Sequence, residues 1–272
     1  MKMKKTYFVS SDVHGFFSIY YKTLKRKGFD INNKNHIIVL CGDCWDRGNE
    51  AIEMLDFLKS VPKDRRILIR GNHELLFLQM IERGFPELHD FKNGTVDTLL
   101  SLNNYNEKQK TDAYLYLKKY YFDSHYSVVS EEQTKLFNLT FNKLVSHKNV
   151  KRLIRFIKSK EWVNYFELDK YVFVHAFVPL KDDWRNASQE EWNRAMWTCP
   201  YKEYLNGGRK ENKILVCGHW HTSDFYQNLT NKTGRYIDIY KCPIFRNRKY
   251  NLIGLDACTA LSGRVNIIVI KK

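Results

Sequence analysis

Residues 36–48 read HIIVLCGDCWDRG and join an apolar run to a polar, charged loop. Their first half, His36 to Cys41, is an apolar run with the length and β-branched content of a buried strand. The run stops abruptly at Gly42 and Asp43, where a charged loop begins. Open α/β sheets are built from buried strands that end in polar loops, and these loops collect ligand-binding groups. The stretch therefore predicts an α/β protein with a functional site at the carboxyl ends of its strands.

The same unit occurs on both sides of this stretch. Strands are predicted at Tyr7 to Ser11 and Arg66 to Ile69, and helices at Phe16 to Lys27 and Ala51 to Lys59, which gives the order β-α-β-α-β. Later strands are predicted at Tyr171 to Val174, Ile214 to Cys217, Tyr236 to Tyr240, Asn251 to Leu255 and Val265 to Ile270. Residues 99–169 lack strand patterns and show helical periodicity. We predict one domain over residues 1–272, with a helical insertion or cap at 99–169.

The composition sets looser limits on function. The chain has 272 residues and a formal net charge of +15, so its surface should attract phosphates, nucleotides or nucleic acid. AT-rich coding produces the same abundance of lysine, so a nucleic-acid partner stays open. No apolar run reaches the length of a signal peptide or a membrane helix, and we expect a cytoplasmic protein without membrane contact. Six cysteines without compact spacing predict reduced thiols.

Five short segments follow strands and carry the residue types of a metal site. They are DVHG at 12–15, GDCWDRG at 42–48, RGNHE at 70–74, VHA at 174–176 and GHWHT at 218–222. Carboxylate and amide oxygens mixed with imidazoles suit Mn²⁺, Fe²⁺ or Zn²⁺ better than Ca²⁺. No cysteine lies in a ligand position, which disfavours a structural thiolate zinc site. The segments therefore predict a site for first-row divalent ions.

Two such ions held about 3.5–4 Å apart need a bridging ligand, and a carboxylate is the natural choice. We assign this role to Asp43. The remaining ligands divide into one set of Asp12, His14 and His221 and a second set of Asn72, His175 and His219. Residues i and i+2 of an extended or tightly turned segment point to the same side, so the D-x-H and H-x-H pairs can each share one ion. Water shared by two ions would be acidic enough to supply hydroxide as the nucleophile.

Taken together, the five segments resemble the calcineurin-like metallophosphoesterase superfamily, in particular its phosphoprotein phosphatase branch. That branch includes the bacteriophage lambda-type serine/threonine phosphatases and the symmetrical diadenosine tetraphosphate hydrolases. The likeness extends to ERG at 82–84, NG at 93–94 and LDACTALSG at 255–263. It implies a β-sandwich of two mixed sheets flanked by helices (α/β/β/α). It also implies two divalent ions, Mn²⁺ first and Fe, Zn, Ni or Co as alternatives. A phage or low-GC bacterial source would place the protein in a host or bacterial cytoplasm.

The resemblance also implies catalytic roles. Arg47 would clamp the non-bridging phosphate oxygens, with a loop salt bridge as the alternative. His73 would protonate the leaving group as general acid, with metal ligation as the alternative. Asp46 would orient His73 and raise its basicity.

Two departures from the pattern leave the substrate open. Where lambda-type enzymes carry a W-x-R arginine, this sequence has Cys199, so Arg194 and Arg185 are candidate replacements or ordinary surface charges. His221 is additional to the phosphoprotein phosphatase pattern and resembles the wider superfamily. The leading hypothesis is a serine/threonine-type protein phosphatase acting on phosphorylated protein. The alternative is hydrolysis of diadenosine tetraphosphate or another nucleotide, and a phosphodiesterase or nuclease ranks below both. A degenerate binding module should have lost ligands, and the sequence has lost none.

Overall fold

The computed structural model describes residues 4–207 and 213–272; residues 1–3 and 208–212, which the single-domain prediction includes, lie outside the described residues. The described strands are β1 (Thr6–Ser10), β2 (His36–Cys41), β3 (Arg66–Ile69), β4 (Trp162–Val163), β5 (Phe166–Leu168), β6 (Tyr171–Phe173), β7 (Ile214–Cys217), β8 (Phe245–Asn247), β9 (Leu252–Gly254) and β10 (Ile267–Lys271). The described helices are α1 (Phe17–Arg26), α2 (Ala51–Ser60), α3 (Asn72–Arg83), α4 (Leu88–Asn93), α5 (Thr95–Ser101), α6 (Glu107–Tyr126), α7 (Glu131–Val145), α8 (Lys148–Ile157), α9 (Gln189–Ala195), α10 (Pro200–Leu205), α11 (Thr222–Leu229) and α12 (Thr259–Ser262). Among these helices, none combines the length and apolarity that crossing a bilayer requires.

The strands form two mixed sheets. The first has the order β10-β1-β2-β3-β4, in which β1 to β4 are parallel and β10 is antiparallel. The second has the order β5-β6-β7-β9-β8, in which the three central strands are parallel and the two outer strands antiparallel. The predicted β-α-β-α-β order of the first 70 residues is confirmed.

Side chains alternate between two faces along each strand, and this alternation builds the layers. One apolar cluster fills the space between the sheets, with Val9, Val39 and Ile69 from the first sheet and Phe173, Val216 and Ile253 from the second. On the outer face of the first sheet, Phe8 packs with Leu24 of α1. On the outer face of the second, Leu215 packs with Trp192 of α9. The predicted α/β/β/α sandwich is therefore confirmed.

The region predicted as an insertion or cap is mainly helical. Residues 99–169 contain the end of α5, the helices α6 to α8, and the short strands β4 and β5. Leu117, Phe141 and Leu153 from its three helices belong to the same apolar cluster as Phe8. The segment thus completes the core outside the first sheet, while its status as an insertion stays a prediction.

The strand predicted at Tyr236 to Tyr240 is wrong. Residues 234–236 form a 3₁₀ turn, and the chain then turns again at Asp238. The Oδ1 atom of Asp238 accepts the N–H of Tyr240 at 2.9 Å, and its carbonyl accepts the N–H of Cys242 at 3.0 Å. Such a local side-chain bond competes with a strand ladder. The outer strand is β8 instead, which pairs with β9.

Candidate metal centre

Predicted ligands follow the carboxyl ends of five strands. β1 leads to Asp12, β2 to Asp43, β3 to Asn72, β6 to His175 and β7 to His219. Six predicted site residues have φ between 52° and 72°: Asp12, His14, Asp43, Asp46, Arg47 and His219. Non-glycine residues in this region are strained, and such residues cluster at functional sites. The strain marks these loops as the functional edge of the sandwich.

Asp43 lies between two groups of potential metal ligands. Its Oδ1 is 3.5 Å from Nε2 of His175, and its Oδ2 is 3.8 Å from Nε2 of His14 and 3.9 Å from Nε2 of His73. Donor atoms of His14, Asp43 and His73 form one close group, and those of Asp43, His175 and His219 form another. A carboxylate that offers one oxygen to each group has the arrangement of a bridging ligand.

His14 and His175 are oriented by the backbone. Nδ1 of His14 lies 3.1 Å from the carbonyl oxygen of Trp45, and Nδ1 of His175 lies 2.8 Å from that of Cys41. Each Nδ1 therefore carries the hydrogen and donates it, which leaves the Nε2 lone pair directed towards Asp43. Metal-binding histidines are usually fixed by such a bond from their second nitrogen.

Asn72, His219 and Asp12 complete the surroundings. Oδ1 of Asn72 and Nδ1 of His219 lie 2.7 Å and 3.2 Å from Nε2 of His175. Oδ1 of Asp12 lies 4.0 Å from Nε2 of His14, and the Asp12 carboxylate accepts the backbone N–H of His219 at 3.0 and 3.1 Å. Metal bonds of about 2.0–2.2 Å place neighbouring donors roughly 3 Å apart. These spacings therefore suit donors arranged around an ion.

The charge of the site also suits cations. Asp12, Asp43 and Asp256 are each 1–2% exposed, and among the described residues no lysine is buried. Burial first, and then Asp256 and Asp43, raise the pKa of Asp12 well above its ordinary value. Buried carboxylates that face one another are unfavourable unless a positive charge offsets them. The donor set therefore fits divalent metal ions.

The protonation states agree with this assignment. Burial, helped by Arg47, lowers the pKa of His14 well below its ordinary value, and burial, helped by His175, lowers the pKa of His219 to about 3. Burial opposes ionisation of Asp43, but His175, His73 and His14 together hold its pKa below the ordinary value. Neutral imidazoles and an ionised carboxylate are the forms that bind metals.

His73 is held by Asp46. Its Nδ1 lies 2.7 Å from Oδ2 of Asp46, which is fully buried and accepts the hydroxyls of Thr95 at 2.9 Å and Thr98 at 2.8 Å. Burial opposes the charged imidazole, but Asp43 and Asp46 raise the pKa of His73 above its ordinary value. Its Nε2 faces the centre, which suits a proton donor. The alternative, that Nε2 binds a metal, is compatible with the same orientation.

Arg47 points into the same centre. Its Nη1 lies 3.0 Å from Nε2 of His14, and its Nη2 lies 3.4 Å from Nε2 of His73. Within residues 4–207 and 213–272, no carboxylate forms an ion pair with Arg47, so the loop salt bridge considered above is not seen. A planar guanidinium placed beside the ligands is suited to bind phosphate oxygens in a bidentate manner.

Two glycines allow the loops to approach closely. A Cβ atom at Gly71 would overlap the carboxylate of Asp43, and one at Gly218 would overlap that of Asp12. Any larger residue at either position would displace a predicted ligand. The glycines are thus part of how the backbone makes room for the site.

Two buried acids at the centre were given no role from the sequence. Glu74 accepts the backbone N–H groups of Gly71 at 2.8 Å, Cys44 at 2.9 Å and Asp43 at 3.1 Å, so it fixes the loop that carries Asp43. Its bond to the N–H of Gly71 is the glutamate half of a capping box, and Gly71 has no side chain to supply the other half. Asp256, which follows β9, is the first charged neighbour to raise the pKa of Asp12.

Two predicted residues are not brought into the centre, and a third lies outside both donor groups. His221 is 30% exposed and belongs to neither donor group; its nearest carboxylates are Asp256 at 3.9 Å and Asp224 at 4.0 Å. Arg185 binds Glu167 at 2.6 Å, and Arg194 binds Glu190 at 3.0 Å on an exposed face. Cys199, in the place of the missing arginine, is buried. The structure therefore gives no support to Arg185 or Arg194 as a second phosphate clamp.

Sequence and structure comparisons give a family profile match and several distant folds. The profile described as calcineurin-like phosphoesterase matches residues 6–223. No curated protein matches the sequence. Similar solved structures include a cold-active protein-tyrosine phosphatase of the psychrophile Shewanella sp. (14% identity, TM-score 0.48, 97% of this chain and 75% of that chain) and a putative diadenosine tetraphosphatase (13%, 0.47, 99% and 95%). Another is a protein serine/threonine phosphatase from Saccharomyces cerevisiae (14%, 0.43, 98% and 79%). The family profile matches most of the chain and therefore supports a family assignment. The solved structures are too distant to support any assignment.

Proposed function

Because the chain belongs to the calcineurin-like phosphoesterase family, it is a metal-dependent phosphoric ester hydrolase, and we propose that it hydrolyses phosphomonoesters as a serine/threonine-type protein phosphatase. The observation that carries the proposal is the position of Asp43, whose two oxygens face two separate donor groups. That arrangement, with Arg47 and the His73–Asp46 pair on one side, provides the parts that monoester hydrolysis requires.

The proposed ligands are divided between two ions. Asp12 and His14 would hold one, Asn72, His175 and His219 would hold the other, and Asp43 would bridge them. Manganese is the proposed metal, since mixed oxygen and imidazole ligands suit it. When bound, the two ions supply an acidic water and hence hydroxide at neutral pH.

The residues of the chain perform the other tasks. Arg47 binds the phosphate oxygens through its guanidinium and orients phosphorus for in-line attack. His73 gives its proton to the leaving oxygen, and Asp46 keeps that imidazole charged and in one orientation. Thr95 and Thr98 satisfy the remaining oxygen positions of Asp46.

A substrate panel tests the proposal. The purified protein is incubated with p-nitrophenyl phosphate, bis-p-nitrophenyl phosphate, diadenosine tetraphosphate and a phosphoserine peptide, each with Mn²⁺ and with a chelator. We expect metal-dependent release of phosphate from the monoester and the peptide, loss of both in Asp43→Ala, and in His73→Ala a larger loss for the peptide than for p-nitrophenyl phosphate. Arg152→Ala, which removes a surface pair with Asp56, serves as the matched control.

Each outcome assigns a substrate class. Turnover of diadenosine tetraphosphate in preference to the peptide would establish the nucleotide alternative, and preference for the diester would point to the phosphodiesterase or nuclease reading. Equal turnover by Asp43→Ala and the wild type would refute the proposed catalytic centre.

A further inference from the structure

Trp197 is a large apolar side chain exposed beside the candidate metal centre. It lies between α9 and α10, and 49% of its surface is accessible. Its ring centre is 5.6 Å from that of His219, and the two rings are nearly perpendicular at 87°. None of the catalytic roles above uses this ring, although it contacts a proposed ligand directly.

The backbone beside the ring is tied to a set of aromatic side chains. Trp220 contacts His219 at 5.4 Å, and its indole N–H donates to the carbonyl of Thr198, the residue after Trp197, at 3.3 Å. Tyr201 in turn contacts the ring of Trp220 at 5.9 Å. The backbone that carries Trp197 is therefore tied to the segment that carries His219.

The charged side chains near the centre can bind a phosphate but do not account for recognition of the group attached to it. Cys199 is buried, and Arg185 and Arg194 are engaged with Glu167 and Glu190. In the described parts of the chain, Arg47 is the arginine whose guanidinium contacts the donor groups. A single clamp fixes the phosphate but does not select the group attached to it. An exposed aromatic ring next to the same ligands can make that selection.

We propose that Trp197 is an aromatic platform that stacks against a planar ring carried by the leaving group of the substrate. The inference rests on the proposed phosphomonoesterase activity and extends it beyond phosphoserine and phosphothreonine, because it adds a class of substrate whose leaving group carries a planar ring. The ring comes either directly from an aryl ester, as in phosphotyrosine, or from a nucleobase. Stacked aromatic pairs stabilise a complex enough to change affinity by up to roughly 10-fold.

Kinetics of two monoesters separate this role from a structural one. Phenyl phosphate and glycerol 2-phosphate are hydrolysed with Mn²⁺ by the wild type, Trp197→Ala and Trp197→Phe. We expect Trp197→Ala to lower kcat/KM for phenyl phosphate about 10-fold, mainly through KM, and to leave glycerol 2-phosphate within about 2-fold. Trp197→Phe, which keeps a ring but loses the indole N–H, should stay near the wild type. Tyr240→Ala, at an exposed aromatic in another turn, is the control.

Equilibrium binding tests the platform without turnover. Calorimetry with phenylphosphonate and methylphosphonate should show that only phenylphosphonate loses affinity in Trp197→Ala. Phosphotyrosine and adenosine 5′-monophosphate are then compared as substrates. The one whose KM rises in Trp197→Ala identifies the source of the ring. The inference would be overturned if Trp197→Ala lost affinity equally for the aromatic and alkyl ligands, or lost affinity for neither. It would also be overturned if Trp197→Phe bound as weakly as Trp197→Ala. If the wild type hydrolyses neither monoester, the proposed function fails, and calorimetry alone decides the platform.

Discussion

Nδ1 of His73 lies 2.7 Å from the carboxylate of Asp46, and the two hydroxyl groups that hold this carboxylate belong to Thr95 and Thr98. A histidine at the candidate metal centre is thus supported, through Asp46, from the helix α5, whose two threonines lie 49 and 52 residues after Asp46 along the chain. In the proposed mechanism, this contact gives the centre a proton donor whose orientation is fixed before substrate arrives. It also makes the donor sensitive to substitutions that touch no substrate.

His73→Asn should reduce kcat by about 100- to 10,000-fold for alkyl phosphates, the range of general acid catalysis. The loss should be smaller for p-nitrophenyl phosphate, whose leaving group needs little protonation. The measurement is kcat for both substrates at saturating Mn²⁺. Equal losses for the two would contradict a proton-donor role and favour His73 as a metal ligand.

Asp46→Asn should move the alkaline limb of the pH profile. A general acid must be protonated, so activity is retained as pH rises until it passes the raised pKa of His73. Removing the Asp46 charge lowers that pKa, and activity should be lost at lower pH than in the wild type. A profile of kcat against pH checks this, with Asp64→Asn at an exposed turn as control. An unshifted or upward-shifted limb would exclude the assigned role.

Arg47→Lys should lower kcat/KM by about 100-fold or more, because a lysine cannot reproduce a bidentate guanidinium at a developing charge. Arg152→Lys, at a surface ion pair, should leave activity near the wild-type value. Arg185→Ala and Arg194→Ala are informative comparisons. If Arg185→Ala or Arg194→Ala lowered kcat/KM as much as Arg47→Lys does, the substituted arginine would be the phosphate clamp.

Gly71→Ala should remove activity through steric overlap with Asp43, since Gly71 has a negative φ of −101° that alanine adopts without strain. Gly84→Ala is the matched control: its φ is +83°, so alanine is strained, but nothing lies within 4 Å of the added Cβ. We expect Gly84→Ala to cost about 1 kcal/mol of stability and to keep activity. Metal titration and thermal unfolding of both variants separate the effects. Normal metal binding by Gly71→Ala would be inconsistent with Asp43 as a ligand.

Glu74→Gln should lower the free energy of unfolding by about 1–3 kcal/mol near pH 5, because its amide group would face a backbone N–H. Burial and Asp43 raise the pKa of Glu74 from 4.5 to about 7, so the folded state holds a proton that the unfolded state releases in this window. The stability contributed by Glu74 therefore falls as pH rises from 4.5 to about 7. Urea unfolding of the metal-free proteins should show that the difference in free energy of unfolding between wild type and variant becomes smaller as pH rises. A difference that grows with pH would reverse the assigned sign.

Much of the fold could be predicted because its central strands are buried on both faces. The run from His36 to Cys41 is apolar after its first residue, and the predicted ligand Asp43 follows it after a single glycine. The strands β4, β5 and β8 have two or three residues and no readable period. The Asp238 turn escaped prediction because a local side-chain bond overrode an apparent alternation.

Site residues could be predicted where they follow a strand. Residues that contact the site from distant parts of the chain could not be predicted. Thr95, Thr98 and Asp256 reach the centre only through the folded chain. The i and i+2 argument for His221 covers an extended or tightly turned segment, whereas His221 stands at the start of α11 and is 30% exposed. Arg185 and Arg194 were chosen for their closeness to Cys199 in sequence, and their acidic partners draw them elsewhere.

Asp43 is proposed to bridge two metal ions. Anomalous diffraction at the manganese absorption edge, from crystals of active protein grown with Mn²⁺, measures this directly. We predict two peaks roughly 3.5–4 Å apart on either side of the Asp43 carboxylate, one near His14 and the other near His175. A single peak, or peaks that leave Asp43 without a contact to both, would contradict the account.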